Sequence, residues 1–167
     1  MKQWKKKESG QALIELAFVV PVLLLLALGV IEVGRYAYIS ILIGNAARAG
    51  AAYGSQSNAQ SADPTGIANA ADYDFAGATS GSTHTNGLTA SNLTVTSSTS
   101  CGCDSAGTIT SAGCTTTTNA TAGSCPGGGN WVVYVSVTAS GSFNGLFNYP
   151  GIPNPLVISR TAILPVS

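Results

Sequence analysis

Between Leu16 and Ile31 the chain carries no charged residue, reading Leu-Ala-Phe-Val-Val-Pro-Val-Leu-Leu-Leu-Leu-Ala-Leu-Gly-Val-Ile. Extended back to Ala12 the stretch reaches 20 residues, with Glu15 as its sole charge. About 20 apolar residues are what a helix needs to cross the hydrocarbon core of a bilayer. Lys2, Lys5, Lys6 and Lys7 all precede the run. By the positive-inside bias they place the N-terminus in the cytoplasm and everything after Glu32 outside. Tyr36 to Tyr53 is rich in Ala, Ile and Leu and has no proline. The pattern therefore predicts one helix from about Ala12 to Tyr53, roughly 60 Å long, whose outer half forms a stalk. Pro21 removes a backbone donor, which membrane helices tolerate where neighbouring groups re-satisfy the freed carbonyl, and it is expected to mark a kink. The competing reading is a secretory signal peptide cut at Ala27-Leu28-Gly29. That would leave the apolar patch Tyr36 to Ile43 at a free N-terminus with nothing evident to cover it.

Charge distribution narrows the function further. Beyond Tyr53 the only basic residue is Arg160, set against Asp63, Asp72, Asp74 and Asp104. Such a region cannot neutralise many phosphates, so nucleic-acid binding is not expected. Only 8% of the residues are charged, well below the share usual in soluble domains, which fits a chain that keeps part of its length out of water.

The most informative pattern is Gly10-Gln11-Ala12-Leu13-Ile14-Glu15. A short basic leader ends in glycine, an apolar helix begins at once, and a carboxylate sits five residues into it. A charge in an apolar segment costs at least ~2.5 kcal/mol, so it needs a partner or a role. A cut after Gly10 would give Gln11 a new α-ammonium group about one helical turn from Glu15, or beside the Glu15 of a stacked neighbour. The plainer account is a charge tolerated at the cytoplasmic interface, where a side chain near a helix end can snorkel.

Gly-x-x-x-x-Glu after a basic leader resembles the processing signal of type IV pilins and pseudopilins. The continuation narrows the resemblance. Ala12 to Ala17, Pro21 with its leucines, Gly29-Val-Ile-Glu32-Val-Gly-Arg35 and Asn45-Ala-Ala-Arg48-Ala-Gly-Ala51 are similar to the TadE-like family of the tight-adherence (Tad/Flp) pilus system. The likeness covers roughly residues 9 to 54. Ala49 and Ala52 stand where that family commonly has charged residues.

The resemblance implies leader removal by a prepilin peptidase between Gly10 and Gln11. It also implies a minor pilin or pseudopilin that works with other pilin subunits and pilus assembly proteins. Glu15, Pro21, Glu32 and Arg35 are the residues expected to govern helix association. Glu32 and Arg35 are also spaced i, i+3 in the order that favours a surface ion pair, and sequence does not separate the two uses. The run Gly44 to Gly54 has small residues on every face, fit for close packing beneath the outer domain or against a partner helix. The expected division is a leader over 1–10, a membrane and stalk helix over 11–54, and an external domain over 55–167. The chain would sit in the bacterial inner membrane, with one pass through the lipid bilayer and its C-terminal domain periplasmic or within a surface pilus.

The outer region reads as α+β. Gly54 to about Gly87 is expected to be loop with a short helix near Ile67 to Phe75. Strands are expected at Asn92 to Ser97, Trp131 to Ser140 and Leu156 to Leu164. The middle one has a clear period of two. Arg160 leaves the buried side of the third ambiguous. Pilin heads generally lay a small antiparallel sheet against the helix, and the same is expected here.

Ser98 to Gly129 is expected to be a Thr/Ser/Gly-rich loop carrying Cys101, Cys103, Cys114 and Cys125. The spacings lack the second close pair of a zinc site, and the compartment would be oxidising, so disulfides rather than a metal are expected. Residues two apart bridge each other poorly, so Cys101 and Cys103 should each join Cys114 or Cys125. Asp72-Tyr73-Asp74 reads as a solvated turn rather than a calcium site, and His84 as an exposed loop residue. No nucleophile elbow, phosphate loop or carboxylate pair is present, so neither enzyme activity nor a cofactor is expected. An adhesin-like module presenting the cysteine loop, or a pseudopilin of a secretion machine, are the alternatives.

Overall fold

The computed structural model describes residues 9–76, 93–112, 125, 129–146, 151 and 153–167. The chain divides into two compact units, Met1–Ala37 and Tyr38–Ser167, and the boundary falls inside the first helix, α1 (Ser9–Gly54). Within the first unit α1 is apolar on all sides, and Leu13, Leu16, Phe18, Leu23, Leu25 and Val30 are all exposed. The most apolar window of the helix contains no buried residue. The helix continues unbroken through Pro21, whose missing N–H leaves the Ala17 carbonyl without its usual donor.

The second unit holds the rest of α1, two further helices and one sheet. After α1 come α2 (Asn58–Ser61) and α3 (Pro64–Ala76), then β1 (Leu93–Ser105), β2 (Thr108–Ala112), β3 (Asn130–Phe143) and β4 (Leu156–Pro165). The sheet order is β2-β1-β3-β4 and every pairing is antiparallel. The expected period of two in the central strand is observed. Val133, Val135, Val137, Ala139, Gly141 and Phe143 are buried, and Tyr134, Ser136, Thr138 and Ser140 between them are half-buried. This inner face receives the C-terminal part of α1.

Ile43, Ala46, Ala47, Gly50, Ala51 and Gly54 are buried at helical spacing and form one stripe. Their smallness has a measurable reason. A Cβ on Gly50 would lie 3.1 Å from the Ile67 carbonyl oxygen and 3.2 Å from Val137 Cγ1. One on Gly54 would lie 3.0 Å from Val135 Cγ2. The small-residue run thus serves close packing beneath the sheet, the first of the two uses left open by sequence. Ile67 of α3, fully buried, wedges beside both glycines.

The junction between α1 and α3 is polar and satisfied. Asp63 stands just before Pro64, and its Oδ1 accepts from the Gly66 backbone N–H at 2.9 Å, an N-cap with proline at the first helical position. Its Oδ2 accepts from the Tyr53 hydroxyl at 3.1 Å. A Cβ on Gly66 would collide with both the carboxylate and the tyrosine. Ser167 closes the other side, giving its N–H to the Ser55 carbonyl at 3.0 Å and its hydroxyl to the Gln56 carbonyl at 3.2 Å.

Two expectations need correction. The loop taken to start at Ser98 does not: β1 runs on to Ser105 and turns through Ala106-Gly107 into β2. Both turn residues have positive φ, 52° and 85°, as a two-residue hairpin with right-handed twist requires. Alanine adopts that conformation at a cost of about 1 kcal/mol, offset here by the Gly107 N–H donating to Asp104 Oδ1 at 3.0 Å. The second correction concerns Asp72. It lies on α3 rather than in a solvated turn, and it is buried, whereas Tyr73 and Asp74 are exposed. His84 and Cys114 lie outside the described residues.

Substituting Gly50 by Val should lower stability by roughly 1–3 kcal/mol, because neither the Ile67 backbone nor Val137 can withdraw. The same change at exposed Ala52 should stay within about 0.5 kcal/mol. Denaturant unfolding of both variants in detergent, followed by tryptophan fluorescence, checks the contrast.

Candidate functional site

The residues singled out by sequence fall into three groups, two on α1 and one centred on β1. The first lies at the start of α1. Gly10 is exposed in the opening turn and Gln11 follows it. A Cβ on Gly10 would meet nothing within 4 Å, so packing among the described residues does not demand glycine there. Glu15 is exposed and has no hydrogen bond or ion pair among the described residues. It lies four residues after Gln11, which puts its carboxylate about one helical turn from the position of the Gln11 nitrogen.

The second group lies further along the same helix. Arg35 Nη1 donates to Glu32 Oε2 at 3.3 Å, with the arginine side chain 40% and the glutamate side chain 17% exposed. In water such an i, i+3 pair stabilises a helix by only a few tenths of a kcal/mol. Its larger effect is to present no net charge just beyond the uncharged run. Cβ atoms on Gly29 and Gly34 would meet nothing within 4 Å, in contrast to Gly50 and Gly54.

The third group is the cysteines. Cys101 and Cys103 are two apart on β1 and therefore share one face of the strand. Both are buried, and in register they oppose Val133 and Trp131 of β3. Cys103 is bonded to Cys125, and Cys101 is disulfide-bonded as well. A closed loop of this size stabilises a fold by about 3 kcal/mol. The bonds serve a part of the sheet that α1 does not cover. The helix ends at Gly54 against Val135, and Val133 and Trp131 lie beyond it. There the buried sulfurs do the work of aliphatic side chains. No cluster of three metal-ligating side chains occurs among the described residues.

Two carboxylates outside these groups have shifted acidity. The Gly66 backbone N–H holds the Asp63 carboxyl below its ordinary value, with the Tyr53 hydroxyl adding to the effect. The hydrogen bond to Asp63 in turn raises the Tyr53 hydroxyl. Burial pushes Asp72 up, and its Oδ1 has no hydrogen-bond partner among the described residues. Sequence reasoning missed both. Asp63-Pro64 was readable as a helix start, whereas burial of Asp72 depends on which face of α3 meets the sheet.

Residues 10–52 match the family model described as TadE-like protein. No curated protein and no solved structure matches the chain. The match covers the N-terminal segment alone, and over that stretch the chain is similar to TadE-like proteins. The matched region takes in Gly10, Glu15, Pro21, Glu32, Arg35 and most of the small-residue stripe.

The buried Asp72 carboxyl favours its protonated form, so stability should be fully present below the unfolded value near pH 4 and fall as pH rises through the raised folded value. Asp72→Asn removes the charge and keeps the shape. It should flatten that decline and stabilise the protein by about 1 kcal/mol at pH 7, with no difference at the acid end. Unfolding midpoints of both proteins across pH 3.5 to 7.5 check the sign.

Proposed function

We propose that this chain is a minor pilin or pseudopilin of a Tad/Flp-type pilus, held in the inner membrane by α1 before assembly. Residues 1–10 act as the leader, 11–54 as the membrane and association helix, and 55–167 as the external domain. A prepilin peptidase cuts between Gly10 and Gln11. The observation that carries this reading is the coincidence of the TadE-like match with an all-round apolar helix that begins at the glycine–glutamate signal.

The mechanism follows from charge. Cleavage removes the basic leader and leaves an α-ammonium on Gln11. In an apolar setting an ammonium and a carboxylate each cost several kcal/mol alone, and mutual pairing offsets much of that cost. Glu15 pairs with its own amine or with that of a neighbour. The pair lets the end of one helix lie against another without an isolated charge. Open positions at Gly29 and Gly34 let a second helix approach closely, as the filled positions at Gly50 and Gly54 let the sheet approach. The Glu32–Arg35 pair fixes the depth of the helix. The partners are other pilus subunits, the assembly proteins and the peptidase.

N-terminal sequencing from cells co-expressing a prepilin peptidase should begin Gln-Ala-Leu-Ile-Glu, or its pyroglutamyl form. A start at Met1, or after Gly29, would overturn the assignment. In the same cells Glu15→Gln should insert as well as wild type yet recover far less of the other filament components on co-purification. Equal recovery would reduce Glu15 to a tolerated charge.

A further inference from the structure

Asn144 is followed by Gly145, the sequence context in which an asparagine is most open to attack by its own backbone. Glycine has no Cβ and reaches conformations that other residues avoid, so its nitrogen can approach the preceding side chain unhindered. In that reaction a bond forms from the Gly145 nitrogen to Asn144 Cγ, and the Cγ–Nδ2 bond breaks. The Gly145 proton passes to the departing nitrogen, which leaves as ammonia, and a cyclic succinimide remains. Water then opens the ring to aspartate, or to isoaspartate, which routes the main chain through an extra methylene.

The position makes such a change consequential. Asn144 is exposed to water and directly follows Phe143, the last residue of β3. Phe143 is buried in the core and pairs with Leu156 at the start of β4. An isoaspartate at 144 would lengthen the main chain where it leaves that pairing. Yet the attacking nitrogen is held elsewhere. The Gly145 N–H donates to Asn154 Oδ1 at 3.1 Å, a well-formed bond that must open before the nitrogen can attack. Asn154 is itself immune to the same reaction. Its successor is Pro155, which has no backbone N–H to supply the nucleophile.

We propose that Asn144 is a deamidation site kept intact by Asn154, whose side-chain oxygen withholds the Gly145 nitrogen. Asn154 is a positioning residue, because it acts through Gly145 and touches none of the bonds that change. The asparagine that cannot cyclise protects the one that can. Opening of this contact starts a conversion that is irreversible once ammonia is lost.

The test incubates the full chain, purified in detergent, in mildly alkaline buffer and follows deamidation by peptide mapping. Asn86, which precedes Gly87 in the second Asn-Gly pair of the chain, serves as an internal reference. Asn154 is exposed, so its replacement removes no core side chain. Asn154→Ala should convert at Asn144 roughly fivefold faster than wild type, the ratio that loss of one ordinary hydrogen bond gives. Asn154→Asp keeps an acceptor oxygen and should convert no faster than wild type. The rate at Asn86 should be the same in all three proteins. Equal rates at Asn144 in wild type and Asn154→Ala would overturn the proposal. An Asn154→Asp chain as fast as the alanine variant would do so too, since an acceptor oxygen would then not be what protects. A parallel rise at Asn86 would assign the effect to general loosening of the chain and would equally overturn it.

Discussion

The head depends on how closely α1 can approach β3. At Gly50 and Gly54 the helix backbone lies so near Val137, Val135 and Ile67 that even a methyl group would be crowded. That separation decides what else fits. Ile67 fills the remaining space and thereby fixes α3, whose first turn is tied to Tyr53 of α1 through Asp63. Ala51, Ile67, Val135 and Val137 become completely inaccessible to water. A larger residue at either glycine would push the helix away from the sheet and loosen all of these contacts at once.

Two helices, α1 and α3, pack on the inner face of the four-stranded sheet. Beyond Gly54, the positions held by Val133, Trp131, Cys101 and Cys103 lie past the end of α1. A small domain has little apolar area to spare, and cross-links commonly make up the difference. The cysteines sit on the inward face of β1, so they close this end of the core as well as constraining the chain that follows. Trp131 shows the limit of the solution, because its Nε1 is buried without a partner among the described residues. The other end of β4 is managed differently. It is an edge strand, and exposed Arg160 with prolines at 155 and 165 discourages pairing with a stray strand.

Much of this was legible in sequence because it rests on local periodicity. The apolar helix, the alternating central strand and the short helix containing Ile67 each declare themselves in neighbouring residues. The second half of β1 did not. Its inward positions are Ser97, Thr99, Cys101 and Cys103, with no aliphatic residue among them, so the usual alternation is invisible until the sulfurs are recognised as core. Ala106-Gly107 hides the hairpin in the same way, since alanine is a poor marker of positive φ. Asp72 and Arg160 were ambiguous for a third reason. Their surroundings come from elements far away in the chain, and neither spacing nor composition records which face of α3 or β4 turns inward. At the N-terminus the pattern of Gly10 and Glu15 suggests a processing signal from sequence alone, and the fold gives neither residue a packing role among the described residues.

The same helix uses small residues in two opposite ways, and the energetics require that difference. In the head, glycines on α1 are filled by Ile67 and the valines of β3. Before Ala37, Gly29 and Gly34 face open space, and large aliphatic side chains are exposed on every side. Each Leu, Ile, Val or Phe left in water forgoes roughly 1.5–3 kcal/mol. A dozen such residues therefore exceed the 5–15 kcal/mol that typically holds a whole domain together. Cohesion of the head does not offset a cost on that scale, which is why the proposed reading places this segment in lipid or against other helices. In that reading lipid satisfies it while the subunit is alone, and neighbouring helices satisfy it when lipid is withdrawn. Lipid and packed side chains are similarly apolar, so exchanging one for the other changes little in hydrophobic energy. Under that proposal specificity comes from the polar groups on the helix, Glu15, Glu32 and Arg35 among them.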